Sequence, residues 1–172
     1  MVLMSMPDLG GIQDVAAIFA ESTELMCQLM DEPEEVHRLQ SEVYQAFQEA
    51  YEDLNSVLMP LNPGYSDWGG LYSKEPSYIL QDDFAYMISP QMFAEFGLPE
   101  IRKACEYLNN TIYHLDGVGN LNHLDYLLKE DTNAVQWVYG AGQPSARHRL
   151  EIYENIFYDG QGIAVFGDLD VF

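Results

Sequence analysis

Apolar positions along the chain fall into two alternating rhythms. Val2-Leu3-Met4-Ser5-Met6 is a short apolar run stopped by Pro7-Asp8-Leu9-Gly10-Gly11, which predicts a buried strand and a tight turn. Ile12, Val15, Ala16, Phe19, Leu25, Met26 and Leu29 then recur at helical spacing, with a break near Ser22. Asp31-Glu32-Pro33-Glu34 reads as a helix start with Asp31 as the cap. Behind it Val36, Leu39, Val43, Phe47, Tyr51, Leu54 and Leu58 form one apolar stripe. Glu35, Arg38, Glu42, Glu49 and Glu52 lie mostly opposite, so a long amphipathic helix should end before Pro60.

Beyond Asn62 the chain turns to Gly, Pro, Ser and aromatics as far as Pro76, a loop long enough to suggest function. Four apolar segments then alternate with helical ones: Tyr78-Ile79-Leu80, Thr111 to Leu115, Ala134 to Val138, and Ile163 to Phe166. Ser89-Pro90 starts one intervening helix, and a second segment opens at Pro99. Asn120 is placed to cap a short helix and Ser145 a longer one. Strict strand–helix alternation predicts a single α/β domain over 1–172, with about five parallel strands and helices outside.

The predicted strands place polar residues at their C-terminal ends, where α/β folds build sites. These are Asp82 and Asp83, His114 and Asp116, Gln136 and Tyr139, and Asp168 and Asp170. Side chains alternate along a strand, so His114 and Asp116 share a face with Ile112, and Asp83 shares one with Ile79 and Gln81. A histidine and a carboxylate two apart can share a metal, or the carboxylate can orient the imidazole for acid–base work. Asp83, His114 and Asp116 are therefore the candidate catalytic set, with His114 and Asp116 as a candidate metal pair. Trp68, Asp82, Gln136, Trp137, Tyr139 and Asp168 are candidates for contacting substrate, although core packing suits Trp137 better than a pocket does. His123 reads as a surface or capping residue, and His37 and His148 carry no functional expectation.

Charge narrows the partners. With 7 Lys plus Arg against 28 Asp plus Glu, the net charge is −21, which excludes a phosphate-neutralising nucleic-acid clamp and disfavours docking on anionic lipid. The 2 cysteines, Cys27 and Cys105, are too few for a disulfide framework and fall in apolar helical patterns, where buried free thiols are expected. No stretch is apolar enough to span a membrane, and a cytoplasmic location is expected.

Several strings resemble the uroporphyrinogen decarboxylase superfamily. Ile88-Ser89-Pro90-Gln91-Met92-Phe93-Ala94-Glu95-Phe96-Gly97-Leu98-Pro99 is similar to its SPxxFxEFxxP segment, preceded by Gln81-Asp82-Asp83 at the corresponding strand end. Tyr113-His114-Leu115-Asp116-Gly117 is similar to the strand that carries His-x-Cys in the zinc-dependent methyltransferase branch. Gly167-Asp168-Leu169-Asp170 resembles a later GNxDP strand end, and Asp31 to Val36 an earlier helix start. The resemblance implies part of a (β/α)8 barrel whose relatives decarboxylate uroporphyrinogen or move methyl groups between corrinoid proteins and thiols. It further implies zinc as a possible cofactor and a corrinoid protein as a possible partner, beside a small-molecule substrate.

The departures shape the expectation. Asp116 stands in the cysteine position, the third zinc ligand expected on the last strand lies beyond Phe172 or does not exist, and eight-carboxylate uroporphyrinogen suits neither the acidity nor the dispersed arginines. The expected function is thus a methyltransferase-related barrel protein binding a small substrate at the strand rim. The alternative is a non-catalytic or truncated half-barrel module that forms homo-oligomers through open sheet edges.

Overall fold

The computed structural model describes residues 3–164. Three helices come first. α1 (Ile12–Ala20) and α2 (Ser22–Asp31) are separated at Glu21, whose positive φ of 65° breaks the helix at the place the spacing predicts. α3 (Pro33–Leu58) carries its stripe inward through Val36, Val43, Phe47, Tyr51 and Leu58. Its cap differs from expectation: Asp31 closes α2, and Glu32 is the N-cap with no side-chain hydrogen bond. One residue suffices between the helices, because Glu32 N–H still donates to Gln28 O and Pro33 needs no donor partner.

Residues 3–6, the expected first strand, do not pair into the sheet. Their backbone is satisfied by the loop instead: Met6 N–H donates to Ser66 O at 2.7 Å, and Asn62 brackets Met4 through both its amide atoms. That loop contains a small antiparallel hairpin, β1 (Tyr65–Ser66) and β2 (Tyr72–Ser73). Its tight turn depends on Gly70, at φ +76°, donating to Asp67 O.

The remaining strands, β3 (Ser77–Gln81), β4 (Asn110–Asp116), β5 (Ala134–Val138) and β6 (Gly162–Ala164), form one parallel sheet in chain order. The described sheet thus has four strands where about five were expected. Between β3 and β4, Ser89 Oγ accepts from Met92 N–H to cap α4 (Pro90–Met92). This helix does not stop before Pro99. A π-helical turn, Phe93–Gly97, carries it into α5 (Leu98–Tyr107). Pro99 has no N–H to give the preceding turn, and widening that turn by a residue accommodates it without a break. Gly97 is required there, since a Cβ would lie 2.6 Å from the Phe93 ring.

α6 (Leu124–Leu127) follows a 3-10 turn beginning at Asn120, which donates its amide to Asp116 O rather than capping the helix. α7 (Leu150–Tyr158) begins after Arg149, while Ser145 pairs with His148 at 3.2 Å ahead of it. Helices cover one face of the sheet. There Phe93, Tyr113, Leu115, Leu127, Val135, Trp137 and Ile156 build the main core. A second cluster joins α1, α2 and α3 to Phe84 and Phe96, and a third packs Phe47, Tyr51 and Leu58 against Tyr78 and Leu108. Cys27 is exposed, against expectation, and Cys105 is half-buried with Sγ 3.3 Å from Thr111 Oγ1. Among the described residues no helix is long and apolar enough to cross a membrane.

Candidate functional site

The parallel register decides which polar groups meet. Gln81 lies opposite His114, and His114 opposite Gln136, so three polar side chains form a row across β3, β4 and β5. Because strand residues alternate, this row shares its face with Ile79, Ile112 and Ala134, and the helices pack on the other. The two faces are here termed inner and outer. His114 Nδ1 is hydrogen-bonded to Gln136 Oε1. This bond fixes the orientation of the ring and leaves Nε2 outside it. Trp68, carried by the hairpin, meets the His114 ring edge-on at 5.2 Å between centroids.

Asp116 ends β4 on the same face as His114, and Asp83 begins the turn after β3. Asp83 is brought there by Asp14, whose carboxylate accepts from the backbone N–H groups of Asp83 at 3.1 Å and Phe84 at 2.7 Å. Asp8 joins from the N-terminal segment, accepting from the Gln81 amide at 3.4 Å and from Gly10 N–H at 2.8 Å. Burial pushes the Asp83 carboxyl above its usual range, and the charges of Asp14 and Asp116 push it further. His114 acts in the opposite direction. Asp116 and His114 therefore lie close enough for Asp83 to feel their charge. A carboxyl whose pKa is raised, beside an imidazole, can give a proton as well as take one.

Asp8 and Asp14 were not singled out from the sequence. The available signal was the adjacent Gly10-Gly11: a Cβ on Gly11 would lie 2.3 Å from both Gln81 O and Asp14 Oδ2. That close approach lets α1 reach the end of β3.

Other candidates lie elsewhere. Asp82 points to the outer side, 5% exposed, where Gln13 Nε2 and Ala85 N–H donate to its two oxygens. Burial holds its carboxyl well above the usual range, reinforced by Asp14 and eased by those two hydrogen bonds. Trp137 is a core residue on the outer face, edge-on to Tyr153, and does not reach the inner face. Tyr139, next but one along the chain, packs at the border of that core. Their parity, odd with Val135, sends both away from Gln136. Asp168 and Asp170 lie outside the described residues. His123 is buried rather than superficial; its ring packs on Phe93, its Nε2 bonds Ala85 O at 2.8 Å, and burial lowers its pKa.

Among the described residues no group of three or more His, Cys, Asp or Glu side chains is arranged to hold a metal ion. His114 and Asp116 supply two donors, one nitrogen and one oxygen, with Nδ1 already committed to Gln136. This set does not complete a zinc site of the thiolate-activating kind. No family model, no curated protein and no solved structure matches the chain.

Proposed function

We propose that the chain is a segment of a uroporphyrinogen-decarboxylase-like (β/α)8 barrel, related to the methyltransferase branch, which binds a small substrate at the C-terminal rim of its strands. The observation that carries this reading is the shared inner face, where Gln81, His114 and Gln136 align and Asp83 and Asp116 sit one step beyond. Strands in unbroken chain order, all parallel, support a barrel segment over a doubly wound sheet, whose order reverses. The Ile88–Pro99 string supports the family, its serine cap and proline-adapted turn positioning the helix beyond the Asp83 loop.

In this reading His114 is the general base through Nε2, Gln136 fixes the orientation of its ring, and Asp116 orients or stabilises the imidazolium. Asp83 gives or takes the second proton, and Trp68 forms a wall. With a thiol substrate, the base would take the sulfur's proton and the thiolate would displace the methyl group from the corrinoid's cobalt, the S–C bond forming as the Co–C bond breaks and leaves its electron pair on cobalt. A corrinoid protein is the proposed methyl donor. No step passes through zinc, for which the donors present are incomplete.

Demethylation of methylcobalamin by a small thiol, followed spectrophotometrically, tests the reading. The expected result is turnover that falls at least roughly tenfold in His114→Ala with the fold intact, an acid–base contribution of ordinary size. Turnover no faster than the protein-free control would overturn it.

A second reading is favoured by the position of β3 at the end of the strand order, where it pairs only with β4 within the sheet. In it the chain is a non-catalytic half-barrel that self-associates edge to edge. Light scattering across a concentration series distinguishes the two: a stable dimer with no turnover favours the module.

A further inference from the structure

A second polar set is buried on the outer side of β3, away from the inner face. A cavity of about 30 Å³ lies between the Gly10-Gly11 turn, the start of α1, the middle of α3, the end of β3 and α5. Gln13, Asp82 and Glu100 project into its wall, at 2%, 5% and 6% exposure. Gln13 donates to Asp82, and Glu100 Oε1 accepts from Lys103 Nζ at 2.8 Å. Gln13 Oε1 and Glu100 Oε2 are left buried without a partner.

Both orphaned atoms are acceptors. Folded proteins rarely leave two such groups unsatisfied beside an empty space, so the occupant must bring donor hydrogens or positive charge. The local charge favours the second. Asp14 and Asp83 both act on Asp82, and the ion pair on this set among the described residues is Lys103 with Glu100. A water molecule would satisfy the oxygens but leave the surplus of carboxylates untouched. The space admits occupants of the size of water, and so a bare ion. Amide and carboxylate oxygens form a donor set suited to a hard ion.

We propose that this cavity binds one monovalent metal cation, Na⁺ or K⁺, held by Gln13 Oε1, Glu100 Oε2 and the Asp82 carboxylate. The ion clamps α1 against the end of β3 and α5. In doing so it fixes Asp14, which in turn holds the backbone of Asp83 and Phe84. The inference does not depend on the proposed chemistry at the inner face, and its test reads no activity.

The full chain is unfolded thermally in chloride salts of Na⁺, K⁺ and tetramethylammonium at equal ionic strength. The expected result is a saturable rise in Tm with Na⁺ or K⁺, reaching roughly 5 °C over tetramethylammonium at concentrations near a hundred times Kd. Glu100→Gln and Gln13→Met should each diminish that rise. Crystals soaked in Tl⁺ give a direct reading that needs no variant, namely an anomalous peak inside the cavity. Equal Tm in all three salts with no such peak overturns the proposal. So does a cation-dependent Tm that both variants retain in full.

Discussion

The two faces of the central sheet are cut from the same strands, residue by residue in alternation, yet they are built to opposite rules. On the outer face Tyr113, Leu115, Val135 and Trp137 are almost wholly buried, and helices from three parts of the chain close over them. On the inner face Gln81, His114 and Asp116 stay partly exposed, covered by a short hairpin that brings Trp68 over His114. A side chain on the first face contributes through packing, so its loss leaves a void that rigid neighbours fill only partly. On the second face Ile79 and Gln136 are buried just as deeply, whereas Gln81, His114 and Asp116 toward the rim contribute through charge and hydrogen bonding in contact with water, where removal costs the fold little. At the rim, stability and chemistry are thereby separated by a single-residue step along each strand.

Substitutions can sharpen or break that contrast. Trp137→Ala should be the most damaging, costing about 3–5 kcal/mol because a large buried ring on the outer face is replaced by a cavity. The shift in urea midpoint measures it, and a loss under about 1 kcal/mol would mean that the outer face is not the stabilising one. Asp82→Asn should alter the pH dependence of stability. The folded-state pKa of Asp82 is raised, chiefly by burial. Its contribution is therefore full below the ordinary carboxylate value of about 3.9 and is lost as pH rises through the raised one. With tetramethylammonium as the only added cation, Tm of the unsubstituted chain should fall more steeply from pH 4 toward 8 than that of the variant. Parallel slopes would refute the assignment.

Smaller effects belong to the inner face. Asp83→Asn should remove the acidic group from the pH–rate profile of whatever reaction the rim performs while leaving Tm nearly unchanged. A profile identical to that of the unsubstituted chain would remove Asp83 from the chemistry. His114→Ala should cost about 1–2 kcal/mol in stability, the cost of leaving the buried Gln136 amide without its partner. Destabilisation comparable to Trp137→Ala would show that the two faces do not divide their tasks.

The parts of the fold written in side-chain periodicity were legible. Val36 through Leu58 specify one stripe on α3, the alternation in Tyr78–Leu80, Thr111–Leu115 and Ala134–Val138 marks three strands, and parity separates Asp83 from Asp82. What depends on backbone partners was not. The apolar Leu3-Met4-Ser5-Met6 has the composition of a strand, but Asn62 and Ser66 satisfy its peptide groups, and nothing local announces a partner some sixty residues away. Pro99 suggested a new start because a proline usually interrupts a helix, whereas the wide turn before it absorbs the missing donor. Asp14 is an acid in the first turn of α1, a common place for one. Its role follows from how closely Gly11 lets that helix approach β3, which periodicity does not encode. Trp137 illustrates a third limit: an amphipathic ring suits a pocket or a core, and only its parity with Val135 decides.

The wide turn at Phe93–Gly97 has one more consequence. Phe93 and Phe96, three residues apart and both at 1% exposure or less, would share a helix face at regular spacing. The extra residue swings them apart, so Phe93 enters the cluster beneath the sheet and Phe96 the cluster among the first three helices. Two hydrophobic clusters assembled from distant stretches of chain are thus riveted by adjacent rings on one piece of backbone. Neither can loosen without dragging on the other, and the N-terminal helices should melt together with the sheet in a single cooperative transition.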